Sequence, residues 1–333
     1  MSLNQSSNHN CPAAMASQSR AILRRMLPNH VIWSTAGFLG TLASIFVLCV
    51  VLKNWRSNGV KSSHYVNVVN LALAYFLYAG AVFGQAIKRA GLLLLDLDEV
   101  SSPLRCFLDK NLASFGSIMV SIFTLNMAAF RVSALICPLI FKKHVTIGFT
   151  IKWSLFLWLV CSALNSTMVF TLNPDKCIPA CLWRFVFMPI GDVLHTTVKL
   201  VISSLAIIAC AFLTTVFILR HYRLGFTNVD FKASRTTLLI AANFLCFWLV
   251  PEFAIYMVNL SSNGLAAKML LSNVPPINVM AAVTDVVIYY CSDKSIRKAI
   301  ARKCDQETTQ VTQVKSKVSI TEAKNKFSIR NAA

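Results

Sequence analysis

The stretch that decides the fold is residues 112–138, LASFGSIMVSIFTLNMAAFRVSALICP. It is apolar over more than the ~20 residues that a helix needs to cross a bilayer core. It carries a single charge, Arg131, near its end. A lone arginine in that place can simply reach the membrane interface with its long side chain. The rest of the chain favours another interpretation, in which Arg131 faces a cytoplasmic partner.

The composition places most of the chain in lipid. Of the 333 residues, 56% are hydrophobic and 14% are charged, and the mean hydropathy is +0.61. A soluble protein of this length does not bury enough side chains to hide that much apolar surface. Six of the 11 cysteines lie in or beside apolar runs and no CxxC pair occurs, so the cysteines predict neither a disulfide-rich secreted chain nor a metal site.

Seven apolar segments predict an all-α membrane protein, a bundle of seven transmembrane helices. They define spans 1 to 7, at roughly 31–53, 65–87, 108–135, 149–171, 194–219, 236–260 and 274–291. None of them alternates like the strand of a membrane barrel, so helices are expected. The predicted organisation is an extracellular segment at 1–30, a transmembrane domain at 31–291, a short amphipathic cytoplasmic helix at 292–304 and a disordered cytoplasmic tail at 305–333.

The distribution of positive charge predicts the orientation of the bundle. The loops after spans 1, 3 and 5, the tail and Arg131 hold 21 Lys and Arg residues, the opposite side holds 10, and Lys199 lies within span 5. Cytoplasmic loops carry the excess of Lys and Arg, so we expect the N-terminus outside and the tail inside. The net charge of +19 is then mostly a belt that faces the cytoplasmic membrane surface, not a sign of nucleic-acid binding.

Several short motifs occur in an order and spacing that point to one receptor family. They are NLALAY at 70–75, FRV at 130–132 with a proline at 138, Trp158, CFWLVP at 246–251, and DVVIY at 285–289. Over about residues 31–304 the chain resembles a divergent rhodopsin-like (class A) G-protein-coupled receptor. The resemblance implies a multi-pass plasma-membrane receptor that binds an extracellular ligand and activates a heterotrimeric G protein, with arrestin as a further candidate partner.

The resemblance also implies roles for individual residues. Arg131, Asp285 and Tyr289 correspond to positions that serve G-protein coupling and activation in the family. Trp248 corresponds to the tryptophan that precedes the span-6 proline, displaced by one residue. It would be either a movable aromatic switch or ordinary packing in an aromatic cluster.

One disulfide is expected from the same resemblance. Cys106 lies at the outer start of span 3, where the family forms a bond to the second outer loop, and that loop offers Cys177 and Cys181. We favour Cys181, which would leave Cys177 free or paired with Cys11. An oxidising outer face favours such a bond.

Several positions depart from the family pattern. Phe130 replaces the acid beside the arginine, Tyr75 stands where the family has a sodium-binding aspartate, and Val286 replaces the span-7 proline. An arginine that faces a low-dielectric bundle is restrained by a nearby carboxylate, and Phe130 cannot supply one. We therefore predict that Arg131 is weakly restrained and that the empty receptor signals. The alternatives are a pair between Arg131 and Asp230, or a protein that does not signal.

Three ionisable residues within or beside the spans, Asp109, Lys199 and Glu252, predict a ligand pocket. Trp248 is expected to line the same pocket. A charge inside a span is expensive, and is usually functional or paired. Pro251 lacks a backbone N–H, so it is expected to kink span 6 and open space beside Glu252. Glu252 and Lys199 would either bind a polar group of the ligand or form a structural ion pair with each other.

The residues disfavour two ligand classes. Residues 279–284 of span 7 hold no lysine to carry retinal, and Ala113 stands where the family's amine receptors have an aspartate. A peptide, a lipid or a chemosensory cue remains. No nucleophile–base pair, metal-ligand spacing or phosphate loop indicates an enzyme, a metal or another cofactor. The alternative functions are a non-signalling scavenger or scaffold and, with less support, a channel or transporter, which would need a polar path or inverted repeats.

Three positions are candidate modification sites. Asn4 heads the sequon NQS at 4–6 and is a glycosylation site if the N-terminus is outside. Asn259 heads a second sequon, close to the membrane. Cys304 follows a basic amphipathic stretch and is either a palmitoylation site or an ordinary free cysteine.

Overall fold

The computed structural model describes residues 13–58, 63–97, 99–172, 178–179, 189–224, 228–260 and 274–292, together with Arg297. These residues are almost entirely helical, and seven of their helices are long and apolar enough to cross a membrane. The predicted number and order of spans are confirmed. The orientation of the N-terminus stays a prediction, and the predicted amphipathic helix lies outside the described residues except at its first residue and at Arg297.

The elements follow one another along the chain with short connections. They are α1 (Ala13–Arg25), α2 (Leu27–Asn58), α3 (Ser63–Leu94), β1 (Val100–Ser101), α4 (Pro103–Ile136), α5 (Pro138–His144), α6 (Ile147–Thr167), a 3₁₀ turn (Met168–Thr171), β2 (Ile178–Pro179), α7 (Pro189–Leu224), α8 (Asn228–Phe244), a π-helical turn (Leu245–Leu249), α9 (Val250–Leu260) and α10 (Val274–Ser292). Spans 1 to 5 lie in α2, α3, α4, α6 and α7, and span 7 lies in α10. Span 6 comprises α8, the π-helical turn and α9.

Local sequence explains several helix ends. Ser102 caps α4 by accepting a hydrogen bond from the Arg105 N–H, and a proline occupies the first turn. Proline is tolerated there because its missing N–H would have no partner in the helix. Pro138 acts in the same way, since α4 ends at Ile136 and the short helix α5 begins at Pro138.

The spans pack as a closed ring around span 3. Span 3 contacts spans 2, 4, 5 and 6, and the ring closes where span 7 packs against spans 1, 2 and 6. Large apolar side chains that point away from this core, such as Leu159 and Ile208, are 71% and 64% exposed. An apolar exposed surface suits contact with lipid chains, so these faces belong against the bilayer.

Two glycines allow neighbouring helices to approach the backbone of span 2. A Cβ on Gly37 of span 1 would lie 2.8 Å from the backbone nitrogen of Phe83. A Cβ on Gly116 of span 3 would lie 2.7 Å from the backbone nitrogen of Tyr78. Membrane helices gain van der Waals contact by placing small residues at such crossings. Span 2 is therefore held tightly on both sides.

The end of the bundle nearest the N-terminus, here called the N-terminal face, is covered by α1. This helix lies within the segment predicted to be extracellular, and the sequence pattern did not predict it. Leu23 of α1 is fully buried, and α1 contacts spans 1 and 2 and the antiparallel pair β1–β2, in which Ser101 faces Ile178. The opposite end, here called the C-terminal face, carries α5 and Arg131.

Candidate functional site

A buried polar cluster joins spans 2, 6 and 7 in the interior of the bundle. The Asn243 side-chain amide donates to the Asp285 Oδ1 at 2.6 Å and to the Ala281 carbonyl at 2.8 Å. The Tyr75 side chain interacts with the same Asp285 carboxyl group, and Tyr289 lies close to Tyr75. Asp285 is only 3% exposed. Two residues of the predicted coupling machinery, Asp285 and Tyr289, are therefore neighbours in the core.

Trp248 packs directly beside this polar cluster and is fully buried. Its ring makes edge contacts with Tyr78 and Tyr75, at centroid distances of 5.0 and 6.1 Å, and stacks on Phe244 at 6.2 Å. Its indole N–H has no hydrogen-bond partner among the described residues. Aromatic packing, not a hydrogen bond, therefore holds Trp248 in place.

Trp248 lies in the π-helical turn of span 6, which the Val250 N–H closes by donating to the Leu245 carbonyl. Such a turn holds one residue more than an α-helical turn, and π-turns within helices are frequent at functional sites. Residues 246–249 of the CFWLVP motif lie in this turn.

Glu252 has a partner on span 7. The Asn278 amide donates to the Glu252 Oε1 at 3.1 Å, and the Tyr78 side chain interacts with both residues. Asn278 was not singled out from the sequence, because one asparagine in an apolar segment carries no signal of its own. The Lys199 side chain lies outside the described residues, so the predicted relation between Lys199 and Glu252 stays a prediction.

Asp109 belongs to a different cluster, at the N-terminal face. It pairs with Lys88, and its backbone carbonyl accepts from the Gln85 amide at 3.0 Å. Within the described parts of the chain, it has no contact with Glu252 or Trp248. The predicted pocket residues therefore fall into two groups.

A buried ion pair accompanies Asp109 at that face. The Arg89 Nε lies 3.3 Å from the Glu99 Oε2, and the two side chains are 3% and 5% exposed. The Lys88 Nζ lies 3.4 Å from the other oxygen of Glu99. Ser19 of α1 fixes Glu99 by exchanging hydrogen bonds with its backbone N–H and carbonyl, at 3.1 and 3.2 Å. The sequence could have indicated this network, because two basic residues lie at the end of predicted span 2 and acidic residues follow within ten positions.

These charges line a cavity of about 370 Å³ between the N-terminal-face ends of spans 2 and 3, here called the charged pocket. Its lining residues are Gly80, Ala81, Gly84, Gln85, Lys88, Arg89, Glu99, Leu108, Asp109, Lys110 and Leu112. The volume falls within the ~300–1,000 Å³ typical of small-molecule sites. The charged pocket is thus a cavity that combines charged groups with an apolar wall.

Side-chain amides and indoles connect span 4 to spans 2 and 3. The Trp158 N–H donates to the Asn70 Oδ1 at 2.8 Å, and the Trp153 N–H donates to the Asn126 Oδ1 at 3.0 Å. Asn126 in turn donates to the Asn67 Oδ1 at 3.1 Å. A cavity of about 550 Å³, lined mostly by apolar side chains, lies beside Asn70 and Trp158. These contacts give the motif residues Asn70 and Trp158 a structural role.

Arg131 is half-buried near the C-terminal face, within electrostatic range of His64 at the start of span 2. The neighbouring Phe130 makes an edge contact with Phe141 of α5, at a centroid distance of 6.2 Å. Phe130 therefore packs on the short helix that follows span 3. The Asp230 side chain lies outside the described residues, and the predicted weak restraint of Arg131 stays a prediction.

Cys106 is fully buried and disulfide-bonded. Its partner lies outside the described residues, as do Cys177 and Cys181, so the choice between them stays open. The pairing of β1 with β2 brings residues 178–179 beside residues 100–101, close in sequence to Cys106. The predicted modification sites at Asn4 and Cys304 also lie outside the described residues.

No family model matches the chain, and no curated protein matches it. The class that the structure defines by itself is a multi-pass membrane protein with seven membrane-spanning helices.

Proposed function

We propose that this protein is a plasma-membrane receptor of the rhodopsin-like class, which binds an extracellular ligand at its N-terminal face and activates a heterotrimeric G protein at its C-terminal face. The observation that carries the proposal is the polar cluster of Asp285, Asn243 and Tyr75, packed against Trp248. It joins spans 2, 6 and 7, and Tyr75, Trp248 and Asp285 belong to the motifs that resemble the family. In the proposed receptor, this cluster would connect the ligand-binding N-terminal face to the G-protein-coupling C-terminal face.

Span 6 supports the proposal as the element that moves. Its backbone leaves the regular α-helical hydrogen-bond pattern at the π-helical turn, and Pro251 follows two residues later. Pro251 removes a backbone donor, so this part of the helix is less restrained than a regular helix. A ligand that binds one arrangement of span 6 better than another would shift the population towards it.

Arg131 and the positive C-terminal face would form the coupling surface. Arg131 is half-buried on span 3, which contacts spans 5 and 6. The cytoplasmic assignment of this face rests on the excess of Lys and Arg in the loops and tail that belong to it. A change in span 6 would therefore alter the neighbourhood of Arg131.

The test is G-protein activation in cells that express the full-length protein, measured without added ligand and across a ligand library. We expect signalling above that of mock-transfected cells and its loss in Arg131→Ala at equal surface expression. Phe130→Asp supplies the missing carboxylate and should lower the signal that the empty receptor gives. Wild-type signalling equal to that of mock-transfected cells under all conditions would contradict the proposal.

A second candidate function is a non-signalling scavenger or scaffold with the same fold. The contact between Phe130 and Phe141 favours it, because this position stabilises α5 through packing and supplies no charge to Arg131. The two functions differ in one observable. A scavenger internalises its ligand with the same efficiency in Arg131→Ala as in the wild type, with no activation of a G protein in either.

A further inference from the structure

We propose that the charged pocket binds the carboxylate of a single-chain amphiphile, a fatty acid or a molecule of that form, with its apolar chain along span 2. The proposal deepens the receptor function by naming a class of ligand. Only the signalling effect of that ligand rests on the proposed receptor function. Binding itself requires no signalling, so the two proposals fail in distinguishable ways.

The shape of the pocket follows from the way spans 2 and 3 separate. They meet backbone to backbone at Tyr78 and Gly116, where no Cβ fits on the glycine. Nearer the N-terminal face, Gly80 and Gly84 line the cavity, and a Cβ built on either glycine meets no heavy atom within 4 Å. The two glycines therefore form an open groove in span 2, one helical turn apart.

The charges of the pocket leave one cation without an acid. The carboxylate of Asp109 pairs with Lys88, and that of Glu99 pairs with Lys88 and Arg89. The Lys110 ammonium donates to the Gln85 Oε1 at 2.8 Å and forms no ion pair with any carboxylate of the described residues. The described lining therefore holds three basic side chains and two acidic ones.

Trp33 holds two of these cations close together. The Arg89 guanidinium and the Lys110 ammonium lie 6.0 and 5.9 Å from the centroid of its ring. Two like charges that share one aromatic ring repel each other, and the Glu99 carboxylate beside Arg89 offsets part of that repulsion. An anion beside Lys110 would offset it further through a charge-assisted hydrogen bond.

The other wall of the pocket is apolar and faces the membrane. Leu108 and Leu112 line it and are 61% and 46% exposed. Glu99 lies at the polar end, where Ser19 of α1 holds it. A ligand in this cavity meets charge at one end and apolar groups at the other.

These features select the ligand class. The described lining has one more basic side chain than acidic ones, which suits a monoanion such as a carboxylate better than a dianionic phosphate. The glycine groove and the two leucines suit an alkyl chain and offer no partners for polar groups. The volume of about 370 Å³ lies at the small end of ligand pockets, which favours a single chain over a two-chain lipid.

The experiment is photolabelling of the purified full-length protein in phosphatidylcholine nanodiscs. The probe is a decanoate that carries a diazirine on its chain, and mass spectrometry locates and quantifies the adducts. Decanoate, decanol, decylamine and acetate compete with the probe. We expect adducts on the pocket lining, with decanoate competing about tenfold better than decanol, as expected from one charge-assisted hydrogen bond. Decylamine and acetate should compete poorly, because the first has the wrong charge and the second has no chain.

Variants separate the charge from the groove. Lys110→Gln should weaken competition by decanoate about tenfold, and Lys110→Arg should retain it. Gly84→Leu fills the groove without touching the charges and should abolish labelling of the lining. Gly91→Leu is the matched control, because its added Cβ also meets nothing within 4 Å and Gly91 does not line the pocket.

Four results would overturn the proposal. Labelling of the lining that is equal in wild type, Gly84→Leu and Gly91→Leu would indicate non-specific partition from the bilayer. Decanol or decylamine competing as well as decanoate would remove the role of charge. Acetate competing as well as decanoate would indicate a simple anion site. An absence of adducts on the lining would show that the cavity is not occupied by this class of ligand.

Discussion

The charged pocket at the N-terminal face and the polar cluster around Asp285 both join span 2 to neighbouring spans, yet they differ in chemistry. The charged pocket is a cavity lined by several ion pairs. The polar cluster holds one carboxyl group, surrounded by an amide, phenols and the packed ring of Trp248. The first arrangement is suited to recognising a charged group. The second is suited to fixing the relative positions of spans 2, 6 and 7.

The difference has a geometric origin in span 2. Near Tyr78 the helix is in close contact with span 3, and the side chains there have no room for a ligand. Six residues further along, Gly84 faces open space. One helix therefore supplies a rigid core and an open groove within two turns, and substitutions can test the two parts separately.

The largest effect is expected from Glu99→Gln in the charged pocket. The substitution removes the Glu99 carboxylate from a buried ion pair with Arg89, and losing one partner of a buried ion pair costs about 3–5 kcal/mol. Thermal unfolding of the purified protein in detergent measures the loss. Lys88→Gln is the control, since Lys88 is 39% exposed and should lose far less. A similar loss in both variants would show that burial does not set the cost.

Gly116→Leu should have the next largest effect, because it separates spans 2 and 3 where their backbones are in contact. The new side chain meets the Tyr78 backbone, which cannot move aside without displacing span 2. Overpacking of this kind is expected to cost about 3 kcal/mol. The measurements are surface expression and thermal unfolding. Gly84→Leu is the matched substitution and should leave both near wild type, and equal losses would contradict the open groove.

Asp285→Leu should remove about 2 kcal/mol, because the Asn243 amide loses an acceptor within the core. Asp285→Asn keeps an acceptor oxygen in place and should lose less. Thermal unfolding of both variants measures the effect, and basal G-protein activation measures whether the position of span 6 changes. Identical unfolding of the two variants would show that the hydrogen bond does not stabilise the cluster.

Asp96→Asn should have the smallest effect. Asp96 pairs with Arg24 at 3.0 Å, but the two side chains are 64% and 70% exposed. Exposed ion pairs contribute about 0–1 kcal/mol, so the variant should unfold within that range of the wild type. A loss as large as that of Glu99→Gln would mean that the contact of α1 with the bundle depends on this surface pair.

The sequence predicts the seven spans because each of them repeats one strong signal, a long run of apolar residues. It does not predict α1 or α5, since a short helix with charges leaves no such run. The ends of the spans are also less well defined. Span 2 was expected at 65–87, and the helix continues to Leu94 beyond the paired charges of Lys88 and Arg89.

The candidate sites were predicted in part and for different reasons. Asp285, Tyr289 and Trp248 were singled out through their resemblance to motifs, and they lie together or close by in the core. Asn243 and Asn278 were missed, because their importance depends on a partner in another helix that the order of the sequence does not reveal. In the charged pocket only Asp109 was recognised. Its partners Lys88 and Gln85 come from a second helix. Glu99, which shares Lys88, comes from a loop, and the fold alone brings these residues together.

The π-helical turn at Leu245–Leu249 has a consequence for changes in chain length. An uninterrupted membrane helix cannot gain or lose a residue without rotating everything beyond that point by about 100°. Span 6 already contains one surplus residue in this turn. A one-residue deletion there would convert the turn into regular α-helix. The helical segments before and after the turn would keep their faces, because the deletion removes only the surplus residue. This stretch is therefore the place in span 6 that can lose one residue without rotating the rest of the helix.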